Sequence, residues 1–105
     1  MTVIFVADAR EKMDELVGLR KLPWDTSFAK SVQDVRKAVD GGAIDKVYLG
    51  SPLVGTASEI ANLLAYLVPA PEIVILDESR QHTMLLEGIF TRHAVRYTVV
   101  HSFQE

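Results

Sequence analysis

The alternation of short apolar runs with helical patterns constrains the fold of this chain more than any other feature. Five runs have strand character: Thr2–Ala7, Trp24–Ala29, Lys46–Leu49, Glu72–Leu76 and Ala94–His101. Four segments between them place apolar residues at helical spacing: Glu11–Leu22, Val32–Asp40, Thr56–Leu67 and Ser79–Thr91. Such alternation is typical of βαβ units, whose right-handed crossovers favour an open parallel sheet. We therefore predict one doubly wound α/β domain over residues 1–105, mainly parallel, with strand order 2-1-3-4-5.

Local signals set the predicted helix ends. Ser31 can cap the second helix, and Gly41-Gly42 ends it. Pro23 ends the first helix. Thr56-Ala57-Ser58-Glu59 has the spacing of a capping box, in which threonine and glutamate satisfy each other's free backbone N–H groups. We therefore expect the third helix to begin at Thr56.

The third helix is apolar on nearly all sides, with Leu63, Leu64, Tyr66 and Leu67 close together. A helix of this kind is buried on more than one side. We expect a second partner to cover it, which in a small domain favours a homodimer. The chain also ends about where a fifth helix would begin, so we expect part of one sheet face to be bare and the last strand to be an exposed edge.

Composition narrows the class of protein. The chain has 105 residues, enough for one hydrophobic core, and a net charge of −3 that argues against a broad nucleic-acid footprint. It has no cysteine, which excludes disulfides and thiolate chemistry. No leader pattern is present, and the longest apolar run is too short to span a bilayer. We expect a cytoplasmic protein without a membrane partner.

Three short segments suggest a family. Val6-Ala7-Asp8 ends the first strand, Leu22-Pro23-Trp24 leads into the second, and Leu49-Gly50-Ser51-Pro52 ends the third. In its layout and at these segments the chain resembles the receiver domains of response regulators. It is most similar to the short receiver-like group predicted to process cyclic phosphates. The resemblance covers nearly the whole chain and implies a flavodoxin-like fold.

The resemblance also implies an activating set that this chain has largely lost. Receivers end the first strand with two aspartates, and here only Asp8 remains. Their third strand ends in the phosphate-accepting aspartate, where this chain has Gly50. A lysine follows their fifth strand, where this chain has Val100-His101-Ser102, and the related group's His-Ser-Asn segment is replaced by Asp77-Glu78-Ser79. The resemblance therefore predicts a catalytically degenerate domain.

A binding crevice is still predicted from the fold. Ligands of doubly wound sheets bind outside the carboxyl ends of the strands, at the switch point between the first and third strands. The candidate ligand-binding residues there are Asp8, Arg10, Gly50, Ser51, Gly55 and Thr56. Free N–H groups at a helix start attract anions, and Arg10 would add charge. The alternative interpretation is an ordinary strand-to-helix turn with a cap, because the Gly-Lys-Ser/Thr triplet of a P-loop is absent.

Carboxylates at the same edge raise the question of a metal. Asp8, Asp77 and Glu78 would lie close together there and could hold Mg²⁺. Gly50 removes the central ligand of the receiver metal site, so we predict no metal and no cofactor, with Mg²⁺ as the alternative. Strand-end carboxylates are also good helix caps.

The remaining candidates favour structural roles. The three histidines, His82, His93 and His101, lack metal-ligand spacing and are expected to be solvated or structurally bonded. Ser51 lacks the Gly-x-Ser-x-Gly context of a nucleophile. The large aromatic residues are expected in or near the core rather than in a stacking platform: Trp24, Tyr48, Tyr66 and Tyr97.

Two functions follow. The first is a catalytically degenerate receiver-like domain that binds a protein, itself included. The alternative is a small enzyme or sensor that binds a phosphate- or nucleotide-bearing ligand in the crevice.

Overall fold

The computed structural model describes residues 2–7, 10–19, 22, 25–42, 44–50, 54–67, 70–76 and 80–100, without the side chains of residues 12, 54–56 and 82. The strands are β1 Val3–Val6, β2 Ser27–Ala29, β3 Lys46–Leu49, β4 Glu72–Leu76 and β5 Thr98–Val100. The helices are α1 Arg10–Gly18, α2 Val32–Asp40, α3 Val54–Ala65 and α4 Arg80–Arg92.

The sheet confirms the predicted architecture. Its five strands lie in the order β2-β1-β3-β4-β5, and every pairing is parallel. The central register joins Val6 of β1 to Leu49 of β3. The fold is therefore a flavodoxin-like α/β arrangement, with β2 and β5 at the edges, as predicted for the last strand.

The two faces of the sheet carry different numbers of described helices. On the first, which we call the three-helix face, Val35 of α2, Ile60 of α3 and Phe90 of α4 pack in one buried cluster with alternate strand residues. On the second, the α1 face, Met13 and Leu16 pack with the other strand residues. Strands covered on both faces need apolar residues at every position, and all of Val3–Val6 is buried.

The position of α3 explains its apolar sequence. Ala57, Ile60, Ala61 and Leu64 are buried in the core of the three-helix face. The helix also contacts both α2 and α4. Among its described side chains, the exposed ones are Ser58, Glu59, Asn62 and Ala65. These neighbours within the chain account for much of the apolar sequence of α3, and a second partner on this helix stays a prediction.

One predicted cap is confirmed and another is wrong. The Ser31 hydroxyl accepts a hydrogen bond from the Asp34 N–H at 3.3 Å, and the Asp34 carboxylate accepts one from the Lys30 N–H at 3.0 Å. The α3 helix begins at Val54, so Thr56 lies inside its first turn and cannot be the N-cap. The reciprocal pair predicted at Thr56 and Glu59 is thus found in related form at the start of α2.

The link from α4 to β5 is a helix-ending turn rather than strand. The N–H of Val95 donates to the Phe90 carbonyl at 2.9 Å, and the N–H of Ala94 donates to the Thr91 carbonyl at 3.1 Å. This pair of bonds is a Schellman motif, with Ala94 in the left-handed conformation at φ 57°. For this reason β5 begins at Thr98 and not at Ala94 as predicted.

Other boundaries also differ by a few residues. The α1 helix ends at Gly18, although the pattern continued to Leu22, and Leu22 is buried on the α1 face from outside the helix. The β2 strand begins at Ser27 rather than Trp24. The lengths and hydropathies of the described helices rule each of them out as a membrane span.

Candidate functional site

The carboxyl edge of the sheet brings β1, β2 and β3 together. The parallel ladders continue one residue past the strands, because the Ala7 N–H donates to the Ala29 carbonyl at 3.1 Å and the Gly50 N–H donates to the Val6 carbonyl at 2.9 Å. Ala7 and Gly50 are therefore neighbours at the predicted switch point, and both are buried.

Gly50 lies in a space with no room for a side chain. A Cβ atom built on it would lie 2.9 Å from Cζ of Phe5 and 3.3 Å from Cβ of Ala7. The first distance is well below an ordinary carbon–carbon contact of about 3.5–4.0 Å. Phe5 is fully buried, so its ring can move only if its neighbours move too. At this point of the edge, core packing fills the space.

Arg10 is the predicted ligand-binding residue whose charge the structure describes at this edge. It is the first residue of α1, and its side chain is 67% exposed, with Nε 3.9 Å from Oδ1 of Asp14. Gly55 and Thr56 lie in the first turn of α3, which begins four residues after Gly50. The other predicted ligand-binding residues, Asp8 and Ser51, lie outside the described residues. The structure thus brings α1 and α3 to the same edge of the sheet.

The metal candidates lie in two separate gaps between the described ranges. Asp8, Asp77 and Glu78 all lie outside the described residues, so their convergence stays a prediction. Within the described ranges, no group of three or more histidine, aspartate or glutamate side chains is arranged to hold a metal ion.

The remaining predicted residues divide by burial. His93 has its Nε2 3.2 Å from the Ser58 hydroxyl, a structural hydrogen bond as predicted. Tyr48 and Tyr97 are half-buried against the core, also as predicted. Tyr66 is 81% exposed, so its predicted place in the core was wrong. Trp24, His101 and the side chain of His82 lie outside what the structure describes.

A charged cluster that was not predicted from the sequence lies at the amino edge of the sheet. Lys46 on β3 has its Nζ 3.7 Å from a Glu72 carboxylate oxygen on β4 and 5.1 Å from the centre of the Tyr48 ring. A hydrogen bond with Tyr48, and then the charge of Glu72, raise the pKa of Lys46 above its ordinary value of 10.5 despite partial burial. Strand pairing creates this cluster, because Lys46 and Glu72 are register partners 26 residues apart in sequence.

No family model, curated protein or solved structure matches the chain. The class of protein is therefore defined by the geometry alone: a five-stranded parallel α/β domain whose switch point is packed with Phe5, Ala7 and Gly50.

Proposed function

We propose that this chain is a receiver-like domain without receiver catalysis, which acts by binding a protein partner, a second copy of itself in the first instance. One observation carries the proposal. The position at which the resemblance places the phosphate acceptor is Gly50, and the space that a side chain would need there is taken by Phe5 and Ala7.

The packing around Gly50 indicates that the core itself excludes an acceptor side chain at this position. An aspartate at position 50 would displace the buried ring of Phe5, which packs with Leu16 and Val74 on the α1 face. Ala7 occupies the end of β1 and adds a second contact that any side chain at position 50 would meet. Phosphoryl transfer of the receiver type needs a carboxylate at position 50. Phe5 and Ala7 fill that space with apolar atoms instead.

A surface for a partner is available at the β5 edge. Among the residues that the structure describes, β5 is paired on one side only, and the backbone groups of an edge strand can pair with another chain. Val100 at the end of β5 is 38% exposed. Antiparallel pairing of two β5 strands would join two copies through identical surfaces, as a two-fold dimer requires.

Sedimentation velocity over a wide range of concentrations tests self-association. We expect the wild type to form a dimer, and Val100→Lys to weaken it, because lysine on an edge strand opposes pairing. Tyr66→Glu is the matched control, since Tyr66 is more exposed than Val100 but lies beyond the end of α3. A wild type that stays monomeric, or equal loss in both variants, contradicts pairing through β5.

Phosphorylation tests the other half of the proposal. After incubation with acetyl phosphate and Mg²⁺, we expect no change in intact mass. An acid-labile adduct at Asp8 or Asp77 would show that another carboxylate has taken over the role of the acceptor, and would contradict the proposal.

A second function, binding of a phosphate-bearing ligand, is favoured by Arg10. Its charge is exposed at the start of α1, and its ion pair with Asp14 is long. A phosphate or nucleotide held at the two helix starts would raise the melting temperature by mass action. We would titrate both by calorimetry against wild type, Arg10→Ala and the control Arg36→Ala, which removes an exposed arginine of α2. Binding that is lost only in Arg10→Ala supports this function; binding by all three places the ligand elsewhere.

A further inference from the structure

A cavity of about 450 Å³ opens at the amino edge of the sheet, opposite the switch point, and we call it the amino-edge cavity. It lies between β4 and the segment that leads into β5, below the end of α3. Its apolar wall includes Leu64, Ile73 and Tyr97, and Arg96 lies beside them. Its volume is within the range of about 300–1,000 Å³ found for small-molecule sites.

The cavity exists because two strands separate. The β3–β4 register runs down to Glu72, whereas the β4–β5 register begins only at Val74, opposite Thr98. The Schellman turn around Ala94 uses the residues that would otherwise extend β5. The edge of β4 next to β5 is therefore left without a ladder partner at Ile73.

The separated strands present two hydrogen-bond donors. In a parallel strand, successive residues direct their backbone groups to opposite sides. The N–H of Glu72 donates to Asp45 at 3.0 Å, on the β3 side, so the N–H of Ile73 faces the β5 side. Arg96, which is exposed, forms no ion pair with any residue that the structure describes.

The charged residues around the cavity favour an anionic ligand. Continued by two residues, the β4–β5 register would place Arg96 opposite Glu72, but Glu72 is paired with Lys46 instead. The cavity lining includes one acidic residue, Glu72, and one basic residue, Arg96; because the Glu72 carboxylate is paired with Lys46, the Arg96 guanidinium is the lining charge left for a ligand. A guanidinium and a backbone N–H bind a carboxylate well.

The apolar wall of the cavity favours a ligand with an apolar body. Leu64 and Ile73 are buried core residues at the base of the cavity. The Tyr97 ring is held in place by Phe90, with ring centres 6.3 Å apart, and its hydroxyl lies 3.4 Å from that of Thr91. The ring therefore offers a fixed apolar surface.

We propose that the amino-edge cavity binds a small organic carboxylate with an apolar body. Arg96 and the Ile73 N–H hold the carboxylate, and the body lies against Leu64 and Tyr97. This site is separate from the switch point and from the β5 pairing surface at Val100, so it stands or falls independently of the proposed function.

Calorimetric titration with phenylacetate and octanoate tests the proposal, with phenylacetamide as the uncharged comparison. We expect the wild type to bind at least one of the two acids, and Arg96→Ala to bind it about tenfold or more weakly. Arg36→Ala, the exposed arginine of α2, is the matched control and should bind as the wild type does.

A second variant tests the cavity itself. Ala65 lines the cavity and is exposed at the end of α3, so Ala65→Trp fills the space without disturbing the core. We expect a native circular dichroism spectrum and loss of acid binding. The proposal is overturned if the wild type binds neither acid. It is also overturned if phenylacetamide binds as tightly as phenylacetate, or if either Arg96→Ala or Ala65→Trp leaves acid binding unchanged.

Discussion

At the scale of single residues, Gly50 has a steric role. We expect Gly50→Ala to destabilise the fold by about 1–3 kcal/mol, because its methyl group would overpack the ring of Phe5. Gly88→Ala is the matched control: Gly88 is exposed within α4, and a Cβ there meets nothing within 4 Å. That change should stabilise the fold by about 0.5–1 kcal/mol. Urea unfolding of both variants measures the difference, and equal effects would contradict the close packing at Gly50.

Ala94 lies in a conformation that suits glycine better. A left-handed φ of 57° costs a residue with a side chain about 1–2 kcal/mol, part of which glycine loses again in chain entropy. We expect Ala94→Gly to stabilise the protein by about 0.5–1 kcal/mol. Ala65→Gly, at the exposed end of α3, provides the comparison and should not stabilise. A loss of stability in Ala94→Gly would mean that Ala94 is unstrained.

Lys46 gives the stability a dependence on pH. The pKa of Lys46 in the folded protein is raised above 10.5. Its contribution to the free energy of unfolding is therefore fully present below pH 10.5 and is lost as the pH rises through the folded-state pKa. We expect the difference in unfolding free energy between wild type and Lys46→Met to be constant near neutral pH and to shrink above 10.5. Urea titrations across this pH range measure the difference. A difference that is independent of pH would contradict a stabilising interaction of the Lys46 charge with Tyr48 and Glu72.

At the scale of elements, α2 has the best-defined start among the described helices. We expect Ser31→Ala to destabilise the protein by about 0.5–2 kcal/mol, because it removes the acceptor for the Asp34 N–H. Gln33→Ala, exposed in the same turn, should change stability by less than about 0.5 kcal/mol. Thermal unfolding separates the two, and equal melting temperatures would show that the cap contributes nothing.

The sequence predicted elements better than their ends. The bounds of α2, β3 and β4 were predicted correctly, because a strong cap or a continuous apolar run defines them. The start of α3 was wrong, because Thr56 and Glu59 match the capping spacing wherever the helix begins. The start of β5 was wrong, because the turn at Ala94 has no glycine to mark it.

The site was less predictable than the fold. The sequence showed that Gly50 replaces the receiver acceptor. Its close packing against Phe5 could not be predicted, because it depends on which strands are neighbours. The Lys46–Glu72 pair and the amino-edge cavity likewise depend on register, and the sequence pattern did not show which residues of two distant strands are partners.

At the scale of the molecule, the two clusters share one sheet. Leu64 lies in the core of the three-helix face and Leu16 in that of the α1 face, and strands β1 and β4 supply residues to both. Neither face can lose its packing without exposing the strands that the other needs. We therefore expect one cooperative transition, as in most small domains.

Substitutions on the two faces test this cooperativity. Leu64→Ala and Leu16→Ala should each destabilise the protein by about 2–5 kcal/mol, with an unchanged dependence on urea. Far-ultraviolet circular dichroism and near-ultraviolet tyrosine signals should give coincident midpoints in both variants. Midpoints that separate in either variant would show that the faces unfold independently.

The place of β1 in the sheet matters during synthesis. Val3–Val6 is made before both of its neighbours, β2 and β3, and its partners extend to Leu49. A nascent chain therefore carries this fully buried strand without its full set of neighbours until Leu49 has been added. The packing around β1 is thus completed only after β3 has left the ribosome.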